Sequence, residues 1–384
     1  MSLIKNMDIT NNNGVKSMDE FGRKNNYKRY EYILVILLSI NSIVNNITIT
    51  SNIINQIGLF SMMLIFMVGI IFDISKFNSL SHYIYLIFLA CFLVLFRFSF
   101  FSFSIASLAI AFLFIPVNNI VSIYRKIIIV QLIYGFLTSL AGLSPLKNPQ
   151  TGVLTFGFVN ENGIGILLAI LVLTFLFTEK NGQLVFNLKW YNIVFTILIT
   201  GIEVLLFNDN TAALMIVFFF LLLPLKEYFL KNRVFQLVSF LIPIGLAVFA
   251  FWVSFNYSIT SATWVNKLNS LMTWRIDIWH YYLTNYPLTY FPSKLQTNNK
   301  ILFGAFDGTY TYLGLFNGLI MLVIIVIGLA LANIRLLLNK KFYIFAFLLC
   351  FEISGFAENI VINYYQCFAL VFAILAYSKN WLKD

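Results

Sequence analysis

Residues 234–255 read VFQLVSFLIPIGLAVFAFWVSF. The run carries no charge, and about 20 apolar residues at about 1.5 Å each span the roughly 30 Å of hydrocarbon in a bilayer. In lipid every backbone amide must find its partner within its own segment, so such a run reads as a transmembrane helix. Directly after it the chain turns polar from Asn256 to Phe306, and apolar sequence resumes behind Asp307. That interruption is far longer than the roughly 2–8 residues a helix–helix connection needs. It is also rich in titratable groups, and long loops held by a rigid scaffold are where chemistry collects.

The same reading along the chain gives twelve apolar runs: 31–50, 53–72, 80–97, 99–117, 124–143, 160–178, 190–207, 211–230, 234–255, 307–333, 341–356 and 358–378. The 384 residues are 60% hydrophobic and 10% charged. A soluble domain carries about 45–50% apolar and about 25% charged residues, so a soluble fold is excluded. Strict period-2 alternation, the mark of a membrane barrel, is absent. The expected class is all-α, a polytopic membrane helix bundle of about twelve transmembrane helices with one long extracytoplasmic loop. The expected organisation is a disordered cytoplasmic N-terminus over 1–30, helices one to nine over 31–255, the loop over 256–306, helices ten to twelve over 307–378, and a cytoplasmic tail over 379–384. No cleavable signal peptide is visible ahead of the first run.

Lysine and arginine set the orientation. With the N-terminus in the cytoplasm, 19 of the 25 Lys and Arg fall on the inner side, and the outer side keeps Arg97, Lys147, Lys267, Arg275, Lys294 and Lys300. Both termini are then cytoplasmic, the protein lies in the cytoplasmic membrane, and the loop 256–306 faces outward. The net charge of +10 is thus a topology signal and an attraction to anionic lipid of the inner leaflet. It is no sign of nucleic acid, for which the chain carries no motif. Cys91, Cys350 and Cys367 all sit in apolar runs, without disulfide or metal spacing. No nucleotide or metal motif is present, so neither cofactor nor metal is expected. The long interruption follows the ninth run, where a transporter built of two six-helix halves has its linker after the sixth.

Four places carry candidate chemistry. In the loop, Thr273–Leu283 has helical character and puts Arg275, Trp279 and Tyr282 on one face, with Asp277, His280 and Tyr281 on the neighbouring one. A guanidinium forks phosphate oxygens and aromatic rings stack on sugars, while Asp277 is placed to tune His280 as a base. The competing reading is an interfacial helix anchored by Trp and Tyr with its charges solvated. Asn160, Glu161 and Asn162 open the sixth run, where helix capping accounts for Asn160 more fully than for the two that follow. Glu203 and Glu352 lie inside runs, where a carboxylate is costly and needs a partner or an aqueous cavity. With Asp209, Asp307 and Glu358, which read singly as helix caps, they describe a polar vestibule. Finally, Asp307-Gly308-Thr309-Tyr310 leads from the loop into the tenth run.

These places, in this order, resemble the bacterial O-antigen and capsule polymerase superfamily, which also contains the O-antigen ligases. The matching elements are Gly157-Phe158-Val159-Asn160-Glu161-Asn162-Gly163-Ile164-Gly165, Asn208-Asp209-Asn210-Thr211-Ala212, Arg275 with Trp279, and Asp307-Gly308-Thr309-Tyr310 with Gly318. Glu161 stands where the family has proline, Asn210 where it has an arginine, and Asp307 where ligases have histidine, which favours polymerase over ligase. The resemblance implies a metal-independent membrane glycosyltransferase that joins undecaprenyl-diphosphate-linked oligosaccharide repeats on the outer face of the membrane. The flippase and the chain-length regulator of the same pathway would be its partners. Arg275 would offset the departing diphosphate, with Lys267, Lys294 or Arg97 behind it. Asp307, Asp277 or Glu161, ahead of His280, would take the acceptor's proton, and Asn160, Asn162, Trp279 and Tyr310 would line the substrate. The alternatives are a flippase or exporter of lipid-linked sugars and a ligase-like transferase.

Overall fold

In a computed structural model, the run that opens the sequence reading forms one helix, Arg233–Phe255, capped at its start by the Asn232 side chain, which accepts from the Val234 amide at 2.8 Å. The structure describes residues 27–47, 52–73, 76, 79–97, 99–149, 151–159, 161–180, 183–207, 209–258, 263–293, 295, 306–378 and 381–382. In chain order the helices are α1 (27–46), α2 (Asn52–Asp73), α3 (Leu80–Leu95), α4 (Phe100–Phe112), α5 (Val117–Leu140) and α6 (Glu161–Phe175). A hairpin of β1 (Phe177–Lys180) and β2 (Gln183–Phe186) follows, then α7 (Trp190–Leu206), α8 (Asn210–Leu222), α9 (Lys226–Lys231) and α10 (Arg233–Phe255). The loop contributes α11 (Thr263–Leu271) and α12 (Arg275–Asn285), and the chain ends with α13 (Thr309–Tyr312), α14 (Leu319–Leu338), α15 (Phe342–Ala357) and α16 (Ala369–Leu375).

Five stretches are long and apolar enough to cross a membrane: Gln56–Asp73, Val117–Leu140, Asn210–Lys231, Arg233–Phe255 and Leu319–Leu338. Five shorter apolar helices stand beside them. Their outward faces are apolar too. Phe60, Ile71 and Leu205 are 62%, 68% and 83% exposed, a surface that suits lipid and not water. The chain is a helical membrane protein.

Several apolar runs are not single helices. The eighth is broken by a 3₁₀ turn at Leu223–Leu225, where Pro224 supplies no amide hydrogen. The tenth divides into α13, a π-turn at Leu313–Asn317 and α14. Gly318 joins the last two at φ +88°, and a Cβ there would strike the backbone of Tyr290 and Phe291. The twelfth run, 358–378, is helical only over Ala369–Leu375. Its irregular first half is buried in protein, the condition under which non-helical backbone is tolerated at membrane depth. α16 is buried throughout and crosses α14 closely enough that a Cβ on Gly328 would strike the Ala373 carbonyl. The hairpin after α6 takes the last two residues of the sixth run, Phe177 and Thr178, out of the expected helix. Its Phe186 stacks on Tyr343 at 4.3 Å, and Arg125 Nη1 donates to the Phe177 carbonyl at 3.2 Å.

Candidate functional site

Where α6, α8, α12 and α13 begin and α15 ends, the polar groups of the bundle converge. Arg275 opens α12 behind two left-handed residues, Thr273 (φ 50°) and Trp274 (φ 67°). A left-handed threonine is unusual because its β-branch crowds the backbone. The turn is held by Trp274 N–H on the Asn269 carbonyl (2.9 Å) and by Asp277 N–H on the Asn269 side chain (3.2 Å). It turns the Arg275 side chain inward, where it is 10% exposed.

There Arg275 Nη2 donates to Glu358 Oε1 at 2.6 Å and to Asp307 Oδ2 at 3.5 Å. Asn162 Nδ2 donates to the same Glu358 oxygen at 3.1 Å. Asn359 holds the other carboxylate, its Nδ2 lying 3.3 Å from Asp307 Oδ1 and 2.8 Å from the Phe306 carbonyl. The backbone carbonyl of Glu358 accepts from both the amide (3.1 Å) and the hydroxyl (2.9 Å) of Thr309. The start of α13 is thereby tied to the end of α15. Asp209 caps α8 by accepting from Ala212 N at 3.0 Å, and it packs so close to Gly165 of α6 that a Cβ there would meet its carboxylate.

Burial dominates the electrostatics. It raises the Asp307 carboxyl above the ordinary aspartate range, and the Arg275 guanidinium draws it back down. Asp307 is the more open of the two, with 20% of its side chain exposed against 5% for Glu358. It is the better placed to meet a ligand, and Glu358 the better placed to hold the arginine.

Arg275 also closes one end of an apolar cavity of about 400 Å³ between α8, α11 and α15, lined by Leu214, Phe218, Leu268, Met272 and Ile353 among others. Both ion pairs use Nη2, which leaves Nη1 and Nε without a protein acceptor among the described residues. A buried cation at the head of a greasy groove suits an anionic headgroup on a long apolar tail.

The other predicted residues fall into three groups. Trp279 and Tyr310 are buried scaffolding. The Trp279 indole N–H donates to the Asp307 carbonyl at 2.5 Å with its ring against Gly308, and Tyr310 OH donates to the Glu352 carbonyl at 2.9 Å. At zero exposure Trp279 offers no face to a sugar. Asp277, Lys267 and Arg97 are exposed, and their side chains take no part in these bonds. His280 is held by partners other than Asp277: its Nδ1 lies 2.8 Å from the Ser254 carbonyl and its ring packs on Tyr257. Asn160, the side chain of Glu161, and Lys294 lie outside the described residues.

The expected vestibule also needs correcting at one corner. Glu352 turns away from the Arg275 group into the bundle, toward Asn333. Conversely, Glu358 and Asn359 carry more of the site than helix capping suggested. Their only trace in the sequence is a polar doublet at the start of the last apolar run. No family model, curated protein or solved structure matches this chain.

Proposed function

We propose that this protein is a polysaccharide polymerase of the cytoplasmic membrane, joining polyprenyl-diphosphate-linked oligosaccharide repeats at the site around Arg275. The observation that carries the reading is a single one: a guanidinium pinned by two carboxylates at the head of an apolar cavity of about 400 Å³. In this reading the cavity takes the lipid carrier's tail and Arg275 takes its diphosphate. The acceptor's hydroxyl oxygen forms a bond to the anomeric carbon of the donor sugar as the bond to the phosphate oxygen breaks. The hydroxyl's proton passes to Asp307, and the charge gathering on the departing diphosphate is offset by Arg275. Glu358 positions the arginine.

The proposal includes twelve passes, counting α1 to α7, α8 with α9, α10, α13 with α14, α15, and residues 358–378. It includes cytoplasmic termini, with the site on the outer face. Support for the orientation comes from the far ends of these helices, where Lys226, Lys231, Arg233, Arg335, Lys340 and Lys341 gather. The glycan profile of a deletion strain tests the function. Single capped repeats with no ladder are the expected result. Full-length but unattached polymer would mark a ligase instead, and lipid-linked repeats trapped in the cytoplasm a flippase.

A further inference from the structure

Ser239, Asn333 and Glu352 meet inside the bundle, one each from α10, α14 and α15, and all three are fully buried. The reason begins with Pro243. Proline has no amide hydrogen, so the carbonyl four residues earlier, that of Ser239, loses its helical donor. Asn333 Nδ2 supplies the missing bond at 3.0 Å, and the same nitrogen donates to Glu352 Oε2 at 2.9 Å. Both hydrogens of the amide are therefore committed to acceptors, which also fixes which way the amide points.

Two oxygens are left over. Asn333 Oδ1 and Glu352 Oε1 are both buried and neither has a hydrogen-bond donor among the described residues. They are the second oxygens of the two groups that this bond joins. A buried acceptor without a donor is costly, a carboxylate oxygen most of all, and the amide has no hydrogen left to give. Tyr310 does not serve, because its hydroxyl is spent on the Glu352 backbone carbonyl at 2.9 Å. Cys350, the other titratable neighbour, is a weak donor two residues away on the same helix. None of the ion pairs among the described residues involves Glu352.

We infer that Glu352 is a proton-binding site: its Oε1 carries a hydrogen that it donates to Asn333 Oδ1, closing a neutral acid–amide ring. The ring pins α10, α14 and α15 together at the proline break. Through the Tyr310–Glu352 bond it also steadies α13, which follows Asp307, and it lies on the helix that ends at Glu358. Its ligand is a proton, held for position and not exchanged in the reaction, and it is independent of what the Arg275 site binds.

Glu352→Gln discriminates this from an ionised or water-bridged carboxylate. A glutamine amide can both donate to Asn333 Oδ1 and accept from Asn333 Nδ2, so it rebuilds the ring. The purified variant in lipid discs is expected to melt with the parent, whereas Glu352→Ala and Asn333→Leu lose several degrees. Infrared difference spectra of parent against Glu352→Gln at neutral pH are expected to lose the carbonyl stretch of a protonated carboxylic acid. Loss of a carboxylate band instead, or a Glu352→Gln variant that melts as low as Glu352→Ala, overturns the assignment. Should Glu352→Ala fail to fold, the infrared comparison decides alone.

Discussion

Arg275 Nη2 lies 2.6 Å from Glu358 Oε1, joining the first residue of α12 to the residue that ends α15, and both side chains are buried. Breaking a buried ion pair from one side costs about 3–5 kcal/mol because it strands the other charge, while replacing both partners with apolar groups is close to neutral. Arg275→Ala and Glu358→Ala are therefore each expected to lower the melting temperature and abolish polymer ladders. The double variant Arg275→Met/Glu358→Leu should recover most of the stability and none of the activity. Ladders from the double variant would remove Arg275 from the chemistry.

The same pair predicts a pH profile. Burial raises Asp307 above the ordinary aspartate range, and the Arg275 guanidinium draws it back down. With Asp307 as the base, the rate rises with pH as its carboxyl ionises. Glu358→Gln removes the competing carboxylate and leaves Arg275 wholly to Asp307. What activity remains should then shift its midpoint to lower pH. The sign for stability is the opposite of the usual carboxylate case. The folded state holds a proton on Asp307 that the unfolded chain has released, so stability falls as pH rises above the ordinary aspartate range. A midpoint moving upward would overturn the assignment of roles.

The sequence announces the bundle because lipid enforces one rule on every segment. The run 234–255 becomes Arg233–Phe255 almost residue for residue. The i, i+4 spacing of Arg275 and Trp279 likewise foretells that both turn inward together. The breaks inside runs were harder to see. Pro224 and Gly318 are visible, but what each does depends on neighbours brought in by the fold, such as the Tyr290 and Phe291 backbone against Gly318. The hairpin takes Phe177 and Thr178 from the tail of the sixth run and the rest of its strands from the polar connection behind it, where no apolar period marks a strand. The partner of Arg275 was not legible at all. Glu358 is 83 residues away, and only the meeting of α12 with the end of α15 makes the pair. His280, conspicuous in the loop, proved to be bound to the Ser254 carbonyl.

Trp279 and Gly308 form a second pair open to test. The indole N–H holds the Asp307 carbonyl, and its ring fills the space that a side chain at 308 would need. Trp279→Phe keeps the packing and loses one hydrogen bond, a cost of about 1 kcal/mol. Gly308→Ala forces a Cβ onto a backbone at φ +107° and into the ring, combining strain with overpacking at roughly 2–4 kcal/mol. Gly308→Ala is expected to be the more damaging to both melting temperature and ladder length. Equal effects would mean that Asp307 is positioned by something other than this contact.

The apolar cavity makes the sharpest separation between binding and chemistry. Leu268 on α11 and Ile353 on α15 face it from two sides, several residues from the ion pairs. Filling it with Leu268→Trp or Ile353→Trp leaves Arg275, Glu358 and Asp307 in place but removes room for a lipid tail. The expected result is a folded protein whose ladders shorten or vanish with the natural carrier. Activity should return in part when the donor is offered on a carrier truncated to a few prenyl units, because a short tail no longer needs the blocked volume. In kinetic terms the loss should appear as a raised KM with kcat little changed, the mark of binding lost equally from ground and transition states. The Arg275 variants should show the reverse, a fall in kcat that a shorter tail does not rescue. If the tryptophan variants work normally with the full-length carrier, the tail lies elsewhere and the cavity has no part in the reaction.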